Sequence, residues 1–184
     1  MTTESKIKGP ASFSETAHKE TSASLKPEND RYASVQSINP SSENAIEQII
    51  ELMGDPSWRV RKASVEKVAT FEHTHELIAA LTEGLSADNN ARLRNTAAEA
   101  LIEIGSGALE HLVVALATAD SSRRKFIVEI LGSIGTDTAR VSLFAALNDR
   151  DRNVQAAVGE ALGHIGGQSV VGELVRRASE AQGD

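Results

Sequence analysis

The chain has 184 residues, with 40% hydrophobic, 24% charged and 3% aromatic residues, a formal net charge of −7 and no cysteine. That balance predicts a soluble globular body with a core of Ala, Leu, Ile and Val, and it excludes disulfides, thiolate metal sites and cysteine nucleophiles. The acidic excess disfavours a nucleic-acid partner, and no membrane span or secretory leader is expected, so the expected location is cytoplasmic.

Residues 1–42 are rich in Ser and Thr, hold three of the four prolines and show no apolar period. They are expected to form a disordered tail, because so little apolar surface cannot offset the ordering entropy. From residue 43 the texture changes. Ser42 or Asn44 can cap a first helix, and Ile46, Ile49, Ile50 and Met53 follow at helical spacing up to Gly54-Asp55-Pro56. Glu43, Glu47 and Glu51 give this helix a polar side, suited to starting a stack.

Four segments then repeat: VRKASVEKVATF (60–71), LRNTAAEALIEIG (93–105), RRKFIVEILGSIG (123–135) and VQAAVGEALGHIG (154–166), starting 33, 30 and 31 residues apart. Buried-type residues fall at offsets 0, 3, 4, 7, 8 and 11 (Val154, Ala157, Val158, Ala161, Leu162 and Ile165 in the last). These offsets share one broad helix face. Gly105, Gly135 and Gly166 stand where a left-handed residue ends a helix. Each such helix, termed B, follows a shorter apolar helix, A, with Leu77, Ile78, Leu81 and Leu85, then Leu109, Leu112, Val113 and Leu116, then Val141, Leu143, Phe144 and Leu147. A closing helix is predicted at 169–181, with Glu173, Arg176, Arg177 and Glu180 on its polar side. The fold predicted for 43–181 is an all-α solenoid of four helix pairs plus that closing helix.

The motif resembles the short HEAT-like repeats of the phycobilisome-lyase type, whose pattern runs from Asp through five residues to Arg and ends in Leu-x-x-Ile-Gly. Asp55 with Arg61 and Asp88 with Arg94 keep the pair, whereas Thr118 precedes Arg124 and Asp149 precedes Gln155. The resemblance implies that Asp55, Arg61, Asp88 and Arg94 form a structural ladder between turns. A turn Asp can also cap helix B, and the Arg after it can bridge neighbouring copies.

Offset 6 is a glutamate in every copy: Glu66, Glu99, Glu129 and Glu160. Offset 2 adds Lys62, Asn95 and Lys125, with Lys62–Glu66 and Lys125–Glu129 at pairing distance along one helix. Stacking would align these residues as an exposed ridge, read as either a solvated face or a partner surface. Trp58, before the first B helix, is either a packed end cap or an exposed anchor. Arg123, Arg124 and Lys125 form the one basic cluster, and Arg123 takes the place of Val60, Leu93 and Val154. Its two arginines are therefore candidate interface anchors.

No catalytic residue, metal ligand set or cofactor is assigned. The reading that results is a non-enzymatic adaptor or scaffold that binds another protein along its B helices. The resemblance leaves open a bilin lyase-like subunit acting on a tetrapyrrole with a partner subunit. It also brings in an iron-dependent hydroxylase similar to deoxyhypusine hydroxylase. Against the latter, only His75-Glu76 supplies the His-Glu dipeptide that such an enzyme repeats, and His73, His111 and His164 lack it.

Overall fold

The computed structural model describes residues 26–87 and 89–181. They form helices α1 (Glu28–Ser37), α2 (Ala45–Met53), α3 (Trp58–Val68), α4 (His75–Gly84), α5 (Ala91–Ile104), α6 (Leu109–Thr118), α7 (Ser121–Ile134), α8 (Asp137–Ala146), α9 (Arg152–Ile165) and α10 (Gln168–Ala181). The odd helices from α1 to α9 stack on one another as a B layer, and α2, α4, α6 and α8 stack as an A layer. Each A helix packs on the B helix after it, so the all-α solenoid read from the periodicity is the fold observed.

The B helices α3, α5, α7 and α9 begin at side-chain caps, whereas α1 begins at Pro27 without one. The backbone N–H groups of Val60, Leu93, Arg123 and Asn153 donate to the side chains of Ser57, Asn90, Asp120 and Asp151. These residues, and not the turn aspartates Asp55 and Asp149, satisfy the orphan donors. At the other end Gly105, Gly135 and Gly166 have φ of 63°, 66° and 62°, a conformation that a Cβ would strain. Between the caps Leu101, Ile127 and Leu131 are fully buried, as are Leu112 and Leu143 of the A helices. Each such side chain contributes about 2 kcal/mol by leaving water.

The expected tail boundary at residue 42 is wrong. Residues 1–25 lie outside the described part, but residues 28–37 form α1, a B helix packed on α3. Val35 and Ile38 are buried there, and Tyr32 lies under the Arg59 guanidinium at 4.1 Å. α1 therefore starts the described stack, the place assigned from sequence to the helix at 44–53. Composition hid it because a helix with one B neighbour needs only a narrow apolar stripe. Arg31-Tyr32-Ala33-Ser34-Val35 nevertheless copies Arg61-Lys62-Ala63-Ser64-Val65 in four of its positions or classes.

Two further expectations change. Ala91–Thr118 reaches the length and apolarity of a membrane span, whereas none was expected. Gly105 and a 3-10 turn, Gly105–Ala108, divide that run into α5 and α6. α10 closes on α9 through buried Val170 but leaves Val171, Leu174 and Val175 exposed, so it caps incompletely. Its Glu173 accepts from both Arg176 and Arg177 and is pulled down to about 2 by those bonds, Arg176 first. The Glu180 side chain lies outside the described part.

Candidate interaction surface

The turn preceding each B helix fixes where its polar side points. In the first pair Asp55 is buried and accepts from Arg31, at 2.8 Å from Nε and 3.2 Å from Nη2, and from the Ser57 backbone N–H at 2.7 Å. In the fourth pair Asp149 accepts from Arg124 Nε and Nη2, each at 2.8 Å, and from the Asp151 N–H at 2.8 Å. Each rung thus joins the Arg of one B helix to the Asp of the next turn. Arg61 uses its Nη1 on the Asp55 and Pro56 carbonyls of its own turn, so it does not pair with the Asp55 carboxylate. Asp88 lies outside the described residues. Arg94 donates from Nη1 to the Ala87 carbonyl.

This frame corrects one proposed anchor. Arg124 is buried with its Asp149 rung and is not available to a partner; it belongs to the ladder. The Arg124 guanidinium also holds Asp149 below the usual carboxylate range. Arg123 turns back to α4, donating to the Thr82 carbonyl at 3.0 Å and Glu83 at 2.9 Å. Trp58 is 70% exposed, the anchor-like alternative of the two.

Above the rungs, Glu66, Asn95, Glu99, Lys125, Glu129 and Glu160 are all exposed on successive B helices, and Lys62 is half-buried among them. Lys62 does not pair along its own helix. Its Nζ reaches Glu99 of the next repeat at 3.0 Å, and that bond, followed by the charges of Glu99, Glu66 and Glu103, raises its affinity for the proton. Lys125 does pair along its helix with Glu129, at 3.6 Å. Glu129 and Glu160 share a groove of about 430 Å³ with Ser133 and His164. Sequence reasoning left His164 without a role; its position four residues after Glu160, on the same helix side, was the available signal.

The A side differs in chemistry. Val114 and Val141 are 63% and 66% exposed, although Val141 belongs to the apolar set that marks its A helix in the sequence. A groove of about 650 Å³ between α6 and α8 is lined by Val113, Leu116, Ala117, Val141 and Ala145. Beside it His75 and His111 meet ring to ring, with centroids 4.5 Å apart. Among the described residues, no group of three or more His, Cys, Asp or Glu side chains is arranged to hold a metal.

Stacked helix pairs, glycine-closed B helices and Arg–Asp rungs define a HEAT-type solenoid. The chain belongs to the HEAT-repeat family, whose model matches residues 24–102 and 109–184. That match begins before α1, in agreement with its place as a B helix. A more particular likeness is to the phycocyanobilin lyase subunit beta of Thermosynechococcus vestitus, 36% identical over 91 residues, or 49% of this chain and 43% of that protein. The chain thus spans less than half the length of this relative. The repeats are of the phycobilisome-lyase HEAT-like type, as the Asp–Arg and Leu-x-x-Ile-Gly pattern implied.

Proposed function

We propose that the chain is a protein-binding module, without catalysis of its own, that receives a basic segment of a partner along its B-helix ridge. HEAT repeats supply the scaffold. The observation that carries the reading is the row of exposed glutamates, Glu66, Glu99, Glu129 and Glu160, set on consecutive B helices by one repeated offset. A row of like charge attracts a basic partner and sets its register more than it adds raw affinity. Only Glu99 and Glu129 have lysine partners among the described residues, which leaves Glu66 and Glu160 open to a partner.

The test is capture of partners by the whole chain, identified by mass spectrometry and repeated with Glu66→Lys, Glu99→Lys and Glu129→Lys combined. Each specific partner should lose at least about tenfold in affinity, since three reversed contacts each exceed a screened surface pair. Retention of every partner would refute the ridge.

A second reading is that the chain serves as a bilin lyase-like subunit acting on a tetrapyrrole together with a partner subunit. It is favoured by the named relative. The apolar A-side groove also lies within the usual size range of small-molecule sites. Incubation with phycocyanobilin, alone and with the captured partner, should then change the visible absorbance. An unchanged spectrum in both cases would remove this reading.

A further inference from the structure

The rungs follow one rule. In Arg31 and Arg124, Nη1 donates to a backbone carbonyl, Lys26 or Ala119, while the Nε/Nη2 edge grips an aspartate of the following turn. Arg94 keeps the first half of that arrangement, with Nη1 on the Ala87 carbonyl. The turn position that should supply its aspartate is Thr118, six residues before Arg124, as Asp149 is six before Gln155. Thr118 carries no charge, and its hydroxyl donates within α6 to the Val114 and Ala115 carbonyls. Arg94 Nε is buried and has no acceptor among the described residues.

Arg94 borders a hollow. A cavity of about 280 Å³ lies between α5 and α7, lined by Arg94, Arg123, Ser86, Ser122 and Phe126. Phe126 holds the Arg94 guanidinium at 5.0 Å from its ring, in place of a carboxylate. Arg123 Nε is likewise buried without an acceptor among the described residues. Asp120 also lines the cavity, but its carboxylate is occupied as the cap of α7, accepting the Arg123 N–H at 3.0 Å. Arg123 is neutralised by Glu83 through its Nη2, so the group left unmatched at the cavity is the Arg94 guanidinium, with its Nε–H buried and unaccepted.

We infer that Arg94 is an open rung, and that it takes an Asp or Glu carboxylate presented by the partner protein. The inference rests on the protein-binding reading above. A carboxylate fits because the filled rungs already show that group on the same guanidinium edge, and a planar fork matches it with two parallel bonds. Asp120 works against a phosphate dianion, which would bring a second and third negative charge beside it.

The test uses the whole chain labelled with ¹⁵N, following the arginine Nε–H resonances. The probe is a capped tetrapeptide, acetyl-Gly-Glu-Asp-Gly-amide, with inorganic phosphate at equal ionic strength as the comparison. The peptide should shift the Arg94 Nε–H signal, and its affinity should fall about tenfold in Arg94→Gln and in Thr118→Asp, which fills the rung from within. Thr118→Asn, of similar size but uncharged, should bind as the native chain does, and circular dichroism checks the fold of all three. Equal peptide affinity in the native chain, Arg94→Gln and Thr118→Asp would overturn the proposal, as would tighter binding of phosphate than of peptide. If reversal of the ridge glutamates abolishes partner capture while Arg94→Gln leaves peptide binding unchanged, the open rung fails and the ridge stands. If the ridge reversal is harmless while Arg94→Gln abolishes peptide binding, the ridge fails and the open rung stands.

Discussion

The seam between α7 and α9 and the seam between α5 and α7 are copies of one design with different outcomes. In the first, a Cβ added to Gly132 would lie 2.7 Å from Ala161 Cβ, so the helices touch through their smallest residues. Arg124 and Asp149 seal its turn end. In the second, Arg123 occupies a position that the other copies give to Val60, Leu93 or Val154, and the rung position that would face Arg94 is Thr118, while Asp120 of the same turn serves as the cap of α7. A cavity borders Arg94 and Arg123 at this seam. Repetition builds the stack, and departure from repetition marks where one seam was released from purely structural duty.

The largest expected effect comes from breaking the sealed seam. Asp149→Ala strands the buried Arg124 guanidinium and should cost about 3 kcal/mol in denaturant unfolding. Gly132→Leu should cost about 2 kcal/mol by wedging α9 from α7, with faster amide exchange in α9. Closing the loose seam works the other way: Thr118→Asp should stabilise by about 0.5 kcal/mol, read as a higher melting temperature. The pH response should separate the seams too. Asp149 is held below its ordinary value in the folded chain, so its contribution is present above the unfolded carboxylate range and is lost as pH falls through the lower folded value. Asp149→Ala should therefore flatten the acid limb of stability, and Thr118→Asp should steepen it. The smallest effect belongs to the exposed ridge, where Lys62→Gln should leave the melting temperature unchanged while altering the salt dependence of partner binding.

Most of this architecture was legible in the sequence, because α3, α5, α7 and α9 share their buried offsets and the last three end in a glycine. What was not legible lay between copies. Lys62 could reach either Glu66 or Glu99, and the stacking distance decides for Glu99. Asp55 could cap helix B or hold an arginine, and Ser57 releases it by taking the cap. Arg124 read as a surface cation, since spacing alone cannot show that Asp149 of the next turn buries it. α1 was missed because its polar residues outnumbered a two-residue apolar contact, Val35 with Ile38, though its Arg-x-Ala-Ser-Val string repeats that of α3. Val141 shows the opposite limit: it belongs to the apolar set that marks α8 in the sequence, and the open A side leaves it in water.

If a partner binds the B layer, its contact should be visible in the exchange of the B-helix amides. The measurement is amide hydrogen exchange of the whole chain, free and saturated with its captured partner. Slower exchange is expected along α3, α5, α7 and α9, greatest where α5 meets α7, with unchanged rates in α4, α6 and α8. Protection confined to α4, α6 and α8 would contradict B-layer binding and move the interface to the apolar A side.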